Sequence, residues 1–166
     1  MKRGLAKKLA SEGGLAGVAG KHFENVDGSG DTFNGSHGIM SSITGEYNAL
    51  GKLVVDVQQE RPDFDDPDAM KVAMESRKRW SAFLDEATGY NAKQRGDKAK
   101  EFAKKASKAK SGISQARHFM GMANNLSEEV KAQAEEYIST IEALLEAGDN
   151  TKAESTAKKL STLLES

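Results

Sequence analysis

Hydrophobic residues recur at helical spacing through much of the second half of the chain, starting with residues 67–88. Ala73 and Trp80 lie seven positions apart, which puts them on one face of a helix. Asp66 before Pro67 is a typical helix start, because the aspartate caps free backbone N–H groups and a proline at the first helical position gives up no hydrogen bond. The pattern therefore predicts a helix that begins at Pro67.

The longest predicted helix covers residues 92–124 and carries an uninterrupted heptad seam. The seam residues are spaced alternately by three and four positions. They are Ala99, Phe102, Ala106, Ala109, Ile113, Ala116, Met120 and Ala123. Five of these eight are alanine, so a neighbouring helix can approach closely. Gly112 interrupts the good helix formers and is a candidate position for a kink.

Two shorter helices complete the C-terminal part of the chain. Ser127 is a good cap for the first of them, and the carboxylates of Glu128 and Glu129 suit the positive end of its dipole. This helix is predicted to end at Gly148, and the next helix begins directly afterwards. Such a short connection requires the two helices to be antiparallel neighbours.

Residues 39–59 also show helical spacing, and we predict a weaker helix there. The apolar positions are separated by four, three, four and three residues. They are Ile43, Tyr47, Leu50, Val54 and Val57. The shorter run 53–57 would by itself suit a strand, but the longer periodicity favours a helix.

Glycine separates the first part of the chain from the rest. Eleven of the 16 glycines lie within residues 1–51, and glycine costs about 1 kcal/mol relative to alanine inside a helix. We therefore predict a glycine-rich, loosely ordered N-terminal arm over residues 1–38. The remaining residues, 39–166, are predicted to form one helical bundle domain. The expected fold class is all-α, an antiparallel bundle of four to five helices.

The composition agrees with a bundle, because each helix of a bundle buries only a narrow apolar stripe. Hydrophobic residues make up 37% of the chain and charged residues 30%. No stretch approaches the roughly 20 apolar residues that cross a bilayer. The chain contains no cysteine, which excludes disulfides and thiolate-bound metals. We expect a soluble protein that uses no cofactor and acts in the cytoplasm or within an assembled particle.

Candidate catalytic and metal-binding residues are few. His118 has no acidic neighbour in the sequence that would orient it as a general base. A second group of histidines and carboxylates lies within 16 residues and could hold a transition metal. Its members are His22, Glu24, Asp27, Asp31 and His37. They lack the glutamate that completes a calcium-binding loop, and we interpret the segment as a polar loop. The sequence thus predicts no catalytic residue and no metal site.

Positive charge is concentrated in the longest predicted helix. Residues 91–120 include nine basic and two acidic residues, a net charge of +7, whereas residues 121–166 have a net charge of −5. The basic residues of segment 93–117 form the predicted interaction surface. They are Lys93, Arg95, Lys98, Lys100, Lys104, Lys105, Lys108, Lys110 and Arg117.

Two kinds of partner suit this basic surface. The acidic helix over residues 127–147 could pair with it, within one molecule or between copies. Phosphate backbones of nucleic acid could also bind it, without reading the base sequence. The first interpretation predicts a non-enzymatic structural or interaction protein that assembles with itself or with a larger complex, for example in a phage or other particle. The alternative is a nucleic-acid-associated helical protein. Neither interpretation involves a membrane.

Overall fold

The structure, a computed structural model, describes residues 1–123 and 126–165. Within these residues two helices are followed by four strands and four further helices. The bounds are Leu5–Ala10 (α1), Gly14–His22 (α2), Glu24–Ser29 (β1), Thr32–His37 (β2), Met40–Tyr47 (β3), Leu53–Gln59 (β4), Pro67–Thr88 (α3), Ala92–Met122 (α4), Glu128–Glu146 (α5) and Asn150–Glu165 (α6). The chain divides into two compact units, Met1–Arg95 and Gly96–Ser166.

The first unit has an α+β fold, so the predicted all-α class is wrong. Its strands form an antiparallel sheet in the order β1-β2-β3-β4. Residues 39–59, predicted as a helix, contain β3 and β4. Their apparent helical spacing mixes residues from both sheet faces, since Ile43 is buried whereas Val54 is 48% exposed. The strand period of two was hidden because many of the intervening positions are glycine, serine or threonine.

The expected loose arm over residues 1–38 is also wrong, because this segment forms α1, α2, β1 and β2. Leu9 and Leu15 are buried in the core of the unit. Glycine here permits close backbone contacts instead of loosening the chain. A Cβ atom on Gly14 would lie only 2.4 Å from the carbonyl oxygen of Gly30. The predicted end of the arm falls in the turn between β2 and β3, inside one sheet.

An aromatic cluster packs α2 and α3 against the sheet. The ring of Phe83 on α3 is fully buried, and its centroid lies 4.8 Å from that of Phe23 and 5.3 Å from that of Phe33. Trp80 stacks on Phe23 at 6.0 Å. Because Phe33 belongs to β2 and Phe23 directly follows α2, the cluster joins elements that are distant in sequence.

The helices predicted after residue 66 are present, although their assembly differs from the prediction, and the predicted end of the longest one at residue 124 lies outside the described residues. The side chain of Asp66 caps α3 by accepting a hydrogen bond from the N–H of Asp68, and Ser127 caps α5 through the N–H of Val130. However, α3 packs with the sheet. The core of the second unit is shared by α4, α5 and α6, so the expected bundle of four to five helices contains three.

Gly112 lies where α4 contacts α6, and the helix is unbroken from Ala92 to Met122. A Cβ atom placed on Gly112 would lie 3.0 Å from the Cβ atom of Ala157. The absent side chain therefore lets the two helices approach closely. Gly96, in the same helix, would meet no atom within 4 Å.

Replacement of Phe83 with alanine is expected to lower the free energy of unfolding of the first unit by about 3–5 kcal/mol, because it leaves a cavity at the centre of the aromatic cluster. Fluorescence of Trp80, the single tryptophan of the chain, follows urea unfolding of this unit. Phe64→Ala is the control, since Phe64 is 60% exposed. Equal effects of the two substitutions would contradict the central role of Phe83.

Replacement of Gly112 with leucine is expected to destabilise the second unit by about 1–3 kcal/mol, because the larger side chain overpacks the contact with Ala157. The helical circular dichroism signal during urea unfolding measures this change. Gly96→Leu adds the same side chain to an open position of α4 and should leave stability unchanged or raise it by up to about 1 kcal/mol. A stabilising Gly112→Leu substitution would show that α4 and α6 do not touch there.

Candidate interaction surface

The basic helix α4 starts with a reciprocal cap. The side chain of Asn91 accepts a hydrogen bond from the N–H of Gln94 at 2.9 Å, and the side chain of Gln94 accepts one from the N–H of Asn91 at 3.1 Å. This capping box satisfies two free N–H groups at the helix start. Ala109, Ile113 and Ala116 are buried. The predicted seam is therefore the face of α4 that packs in the core of the second unit.

Arg95 does not contribute a free charge to the predicted basic surface, because it is bonded to residues before α4. Its guanidinium group bonds to the carboxylate of Asp85 and donates to the carbonyl oxygen of Tyr90 at 2.6 Å. Both partners belong to the end of α3 or to the turn that follows it. Arg95 therefore stabilises the connection between α3 and α4 and is only partly exposed.

Several lysines of the basic surface pair with glutamates of the second unit. Glu101 bonds to Lys98 and to Lys105, each at 3.1 Å. Lys108 lies 3.2 Å from Glu154 on α6. Hydrogen bonds from these lysines lower the pKa values of Glu101 and Glu154. The charges of these lysines are thus partly neutralised by groups of the same unit.

Arg117 provides the one ion pair between α4 and the acidic helix α5 among the residues that the structure describes. Its guanidinium group lies 2.9 Å from the carboxylate of Glu142. The expected pairing of the basic and acidic helices within one molecule is therefore limited to this contact in the described residues. Apart from that of Arg95, the other ion pairs of α4 and α5 join residues within one helix or join α4 to α6.

Three lysines, Lys93, Lys100 and Lys104, form a stripe on the side of α4 opposite the buried Ala109. We call them the outer basic stripe. All three are exposed, and within the described part of the chain none of them makes an ion pair. Lys110, the remaining member of the predicted surface, is exposed on the flank of the helix. The outer basic stripe is therefore the part of the surface that remains available to a partner.

The helix α5 presents the opposite charge. The carboxylates of Glu129, Glu135, Glu136 and Glu146 are exposed, and no ion pair involves them in residues 1–123 and 126–165. We call these four residues the acidic face. Glu129 and Glu136 lie opposite the buried Ala134, as the outer basic stripe lies opposite the buried side of α4.

The two histidines that were metal candidates differ in their contacts, since the buried Nδ1 atom of His37 has no hydrogen-bond partner in the described part of the chain. His22 Nε2 lies 2.8 Å from Glu86 on α3, and His37 Nδ1 lies 3.8 Å from Glu24. Across the described ranges, no three histidine, aspartate or glutamate side chains come together to hold a metal ion. The pairing of β1 with β2 brings Glu24 near His37, whereas His22 contacts α3 instead of these residues.

His118 lies beside an apolar groove of about 640 Å³ between α4 and α6. Phe119 and Met122 line this groove and are themselves substantially exposed, at 44% and 67%. Among the residues described, no hydrogen bond orients the His118 ring. The groove thus presents exposed apolar side chains near the C-terminal ends of α4 and α6.

The open face of the sheet was missed by sequence reasoning, because the strands themselves were missed. A shallow groove of about 400 Å³ crosses β1 to β4 on this face. Its exposed polar residues include Asn34, Thr44 and Asp56, which face one another across three strands. The alternation of polar and apolar residues in β2 to β4 was the signal that could have revealed it.

Comparison with known proteins locates the chain in one family. Residues 1–101 match the family described as a domain of unknown function (DUF5611), a match that covers the sheet unit and the start of α4. Neither the curated proteins nor the solved structures contain a significant match. In the described part of the chain, no helix is both long enough and apolar enough to cross a membrane. On the extent of the family match, the chain belongs to the DUF5611 family.

Proposed function

We propose that this protein is a non-enzymatic interaction protein that assembles with copies of itself, with the outer basic stripe of one copy bound to the acidic face of the next. The observation that carries the proposal is the separation of unpaired lysines on α4 from unpaired glutamates on α5. Such a protein would act in the cytoplasm or within an assembled particle.

The spacing of the charges supports pairing between copies. Lys93 and Lys100 are separated by seven residues, and so are Glu129 and Glu136. Seven residues correspond to two helical turns, or about 10.5 Å along the axis. Two lysines of one copy can therefore meet two glutamates of another in the same register. Flanking lysine–glutamate contacts of this kind select partners between helices.

The assembly is expected to be salt-sensitive and to join unlike surfaces of neighbouring copies. An exposed ion pair contributes only about 0–1 kcal/mol, so several pairs must act together. Because each copy uses α4 on one side and α5 on the other, the contact joins two different surfaces. Such contacts build rings if the rotation closes and filaments if it does not.

A second candidate function is binding of nucleic acid through the outer basic stripe. The exposure of these lysines without carboxylate partners favours it, since lysines that neutralise phosphates release bound counterions. Three phosphate contacts predict that the logarithm of affinity falls with the logarithm of salt concentration at a slope of about −2.7. The stripe contains no arginine, so bidentate reading of guanine is not available to it.

Charge reversal distinguishes the two functions. The basic-stripe variant carries Lys93→Glu, Lys100→Glu and Lys104→Glu, and it should lose the contact between α4 and α5 and sediment more slowly than the original assembly, because like charges then face one another. The acidic-face variant, Glu129→Lys with Glu136→Lys, should sediment more slowly for the same reason. A mixture of the two should regain the sedimentation coefficient of the original assembly at low salt, because opposite charges face again.

The matched control reverses three exposed lysines of the first unit, Lys7, Lys8 and Lys78, and changes the net charge equally. It should assemble as the original chain does. An unchanged sedimentation coefficient in the basic-stripe variant would sink the proposal. Binding of a duplex oligonucleotide, measured by fluorescence anisotropy, that is lost in the basic-stripe variant while the variant and the original chain sediment alike would favour the second function.

A further inference from the structure

The two edges of the sheet differ in their ability to accept another strand. β1 is an irregular edge, because its register with β2 shifts between Glu24 and Asp27 and Asn25 has a left-handed φ of 50°. The end of β1 is also covered, since Gly30 forms a bridge with Gly14 at the start of α2. Bulges and covering segments are the usual protection of a sheet edge.

β4 is a regular edge without such protection. Its pairing with β3 runs without a shift from Gln58 to Leu53. The ladder continues to Lys52, whose carbonyl oxygen accepts a hydrogen bond from the N–H of Asn48 at 2.9 Å. The strand contains neither proline nor glycine. An edge strand of this kind is a template for pairing with another chain.

The hydrogen bond at Lys52 fixes which backbone groups of β4 point outwards. Hydrogen-bonded and non-hydrogen-bonded pairs alternate along an antiparallel ladder. Lys52, Val54 and Asp56 therefore bond to β3, and the N–H and C=O groups of Leu53 and Val55 face the free edge. In residues 1–123 and 126–165, no further hydrogen bond reaches these outward groups.

We propose that β4 pairs with β4 of a second copy, antiparallel and about a two-fold axis at Val54, to give a continuous eight-stranded sheet. A two-fold axis perpendicular to the sheet puts each residue opposite one on the same face. Leu53 of each copy then exchanges both backbone hydrogen bonds with Val55 of the other. Four backbone hydrogen bonds cross the axis.

Charge complementarity selects this register. An axis at Val54 puts Lys52 of each copy opposite Asp56 of the other, and it puts the two Val54 side chains, each 48% exposed, in contact. An axis at Val55 would put Val54 opposite the charged Asp56. An axis at Asp56 would put two carboxylates opposite each other, which is destabilising.

The β4 contact is independent of the helix charges used in the proposed function. It lies within the first unit and depends mainly on backbone hydrogen bonds. The experiment is therefore done in full-length chain that carries the basic-stripe variant, which removes the helix contact. Failure of the β4 contact and failure of the proposed function then give different results.

The cysteine-free chain allows a direct test of the register by disulfide formation. Val54→Cys puts two sulfurs in a non-hydrogen-bonded pair, where the Cα atoms lie about 4.5 Å apart, within the disulfide range of about 4.4–6.8 Å. Mild oxidation should give a covalent dimer on a non-reducing gel. Val72→Cys, on α3 at 46% exposure, is the matched control and should stay monomeric.

Three further variants test the proposal without cysteine chemistry. Val55→Pro removes an outward N–H without removing a bond to β3, so Trp80 fluorescence should stay native while the dimer is lost from sedimentation profiles. Lys52→Glu should abolish the dimer, and adding Asp56→Lys should restore it. The proposal is overturned if Val54→Cys crosslinks no more than Val72→Cys, or if folded Val55→Pro still dimerises.

Discussion

The packing of α2 and α3 on one face of the sheet is the constraint on which the first unit depends. Phe83 carries this packing, because its ring contacts aromatic side chains from beside α2 and from β2 at once. The chain has few apolar residues, so the core is narrow and the helices can cover only one face. The opposite face and the β4 edge are left to solvent as a direct result.

The second unit also builds its core from few large apolar residues, but by a different kind of packing. Its core relies on small residues, such as Ala109, Ala134 and Ala157, and on a glycine at the contact between α4 and α6. Small side chains bring the helices close, so little apolar surface is needed to exclude water between them. The long charged side chains are consequently left on the outside, where basic and acidic residues are on different helices.

The helices after residue 66 could be predicted because their signals are local. Asp66 and Ser127 act as caps in the positions that the sequence indicated. The sheet could not be predicted in the same way, although its strands pair as consecutive hairpins, because glycine, serine and threonine positions obscure the strand period of two. Gly45, for example, looks like a helix breaker, yet its missing side chain makes room for the ring of Phe33.

The candidate surface was predictable in composition but not in detail. A count of lysines identified α4 as the basic helix, but the sequence alone did not show that Arg95 bonds to Asp85 or that Lys108 bonds to Glu154. These contacts depend on which helices become neighbours in three dimensions. The lysines that remain outside them are the ones that a partner can use.

The irregular β1 edge limits how far strand addition can proceed. A sheet with two open edges can recruit chains without end and so can seed a fibre. Here the bridge between Gly14 and Gly30 occupies one end of β1 and leaves β4 as the accessible side. In the dimer that we propose, the strands left at the two ends of the sheet are the irregular β1 strands, whose register shift and bridge to α2 disfavour further strand addition.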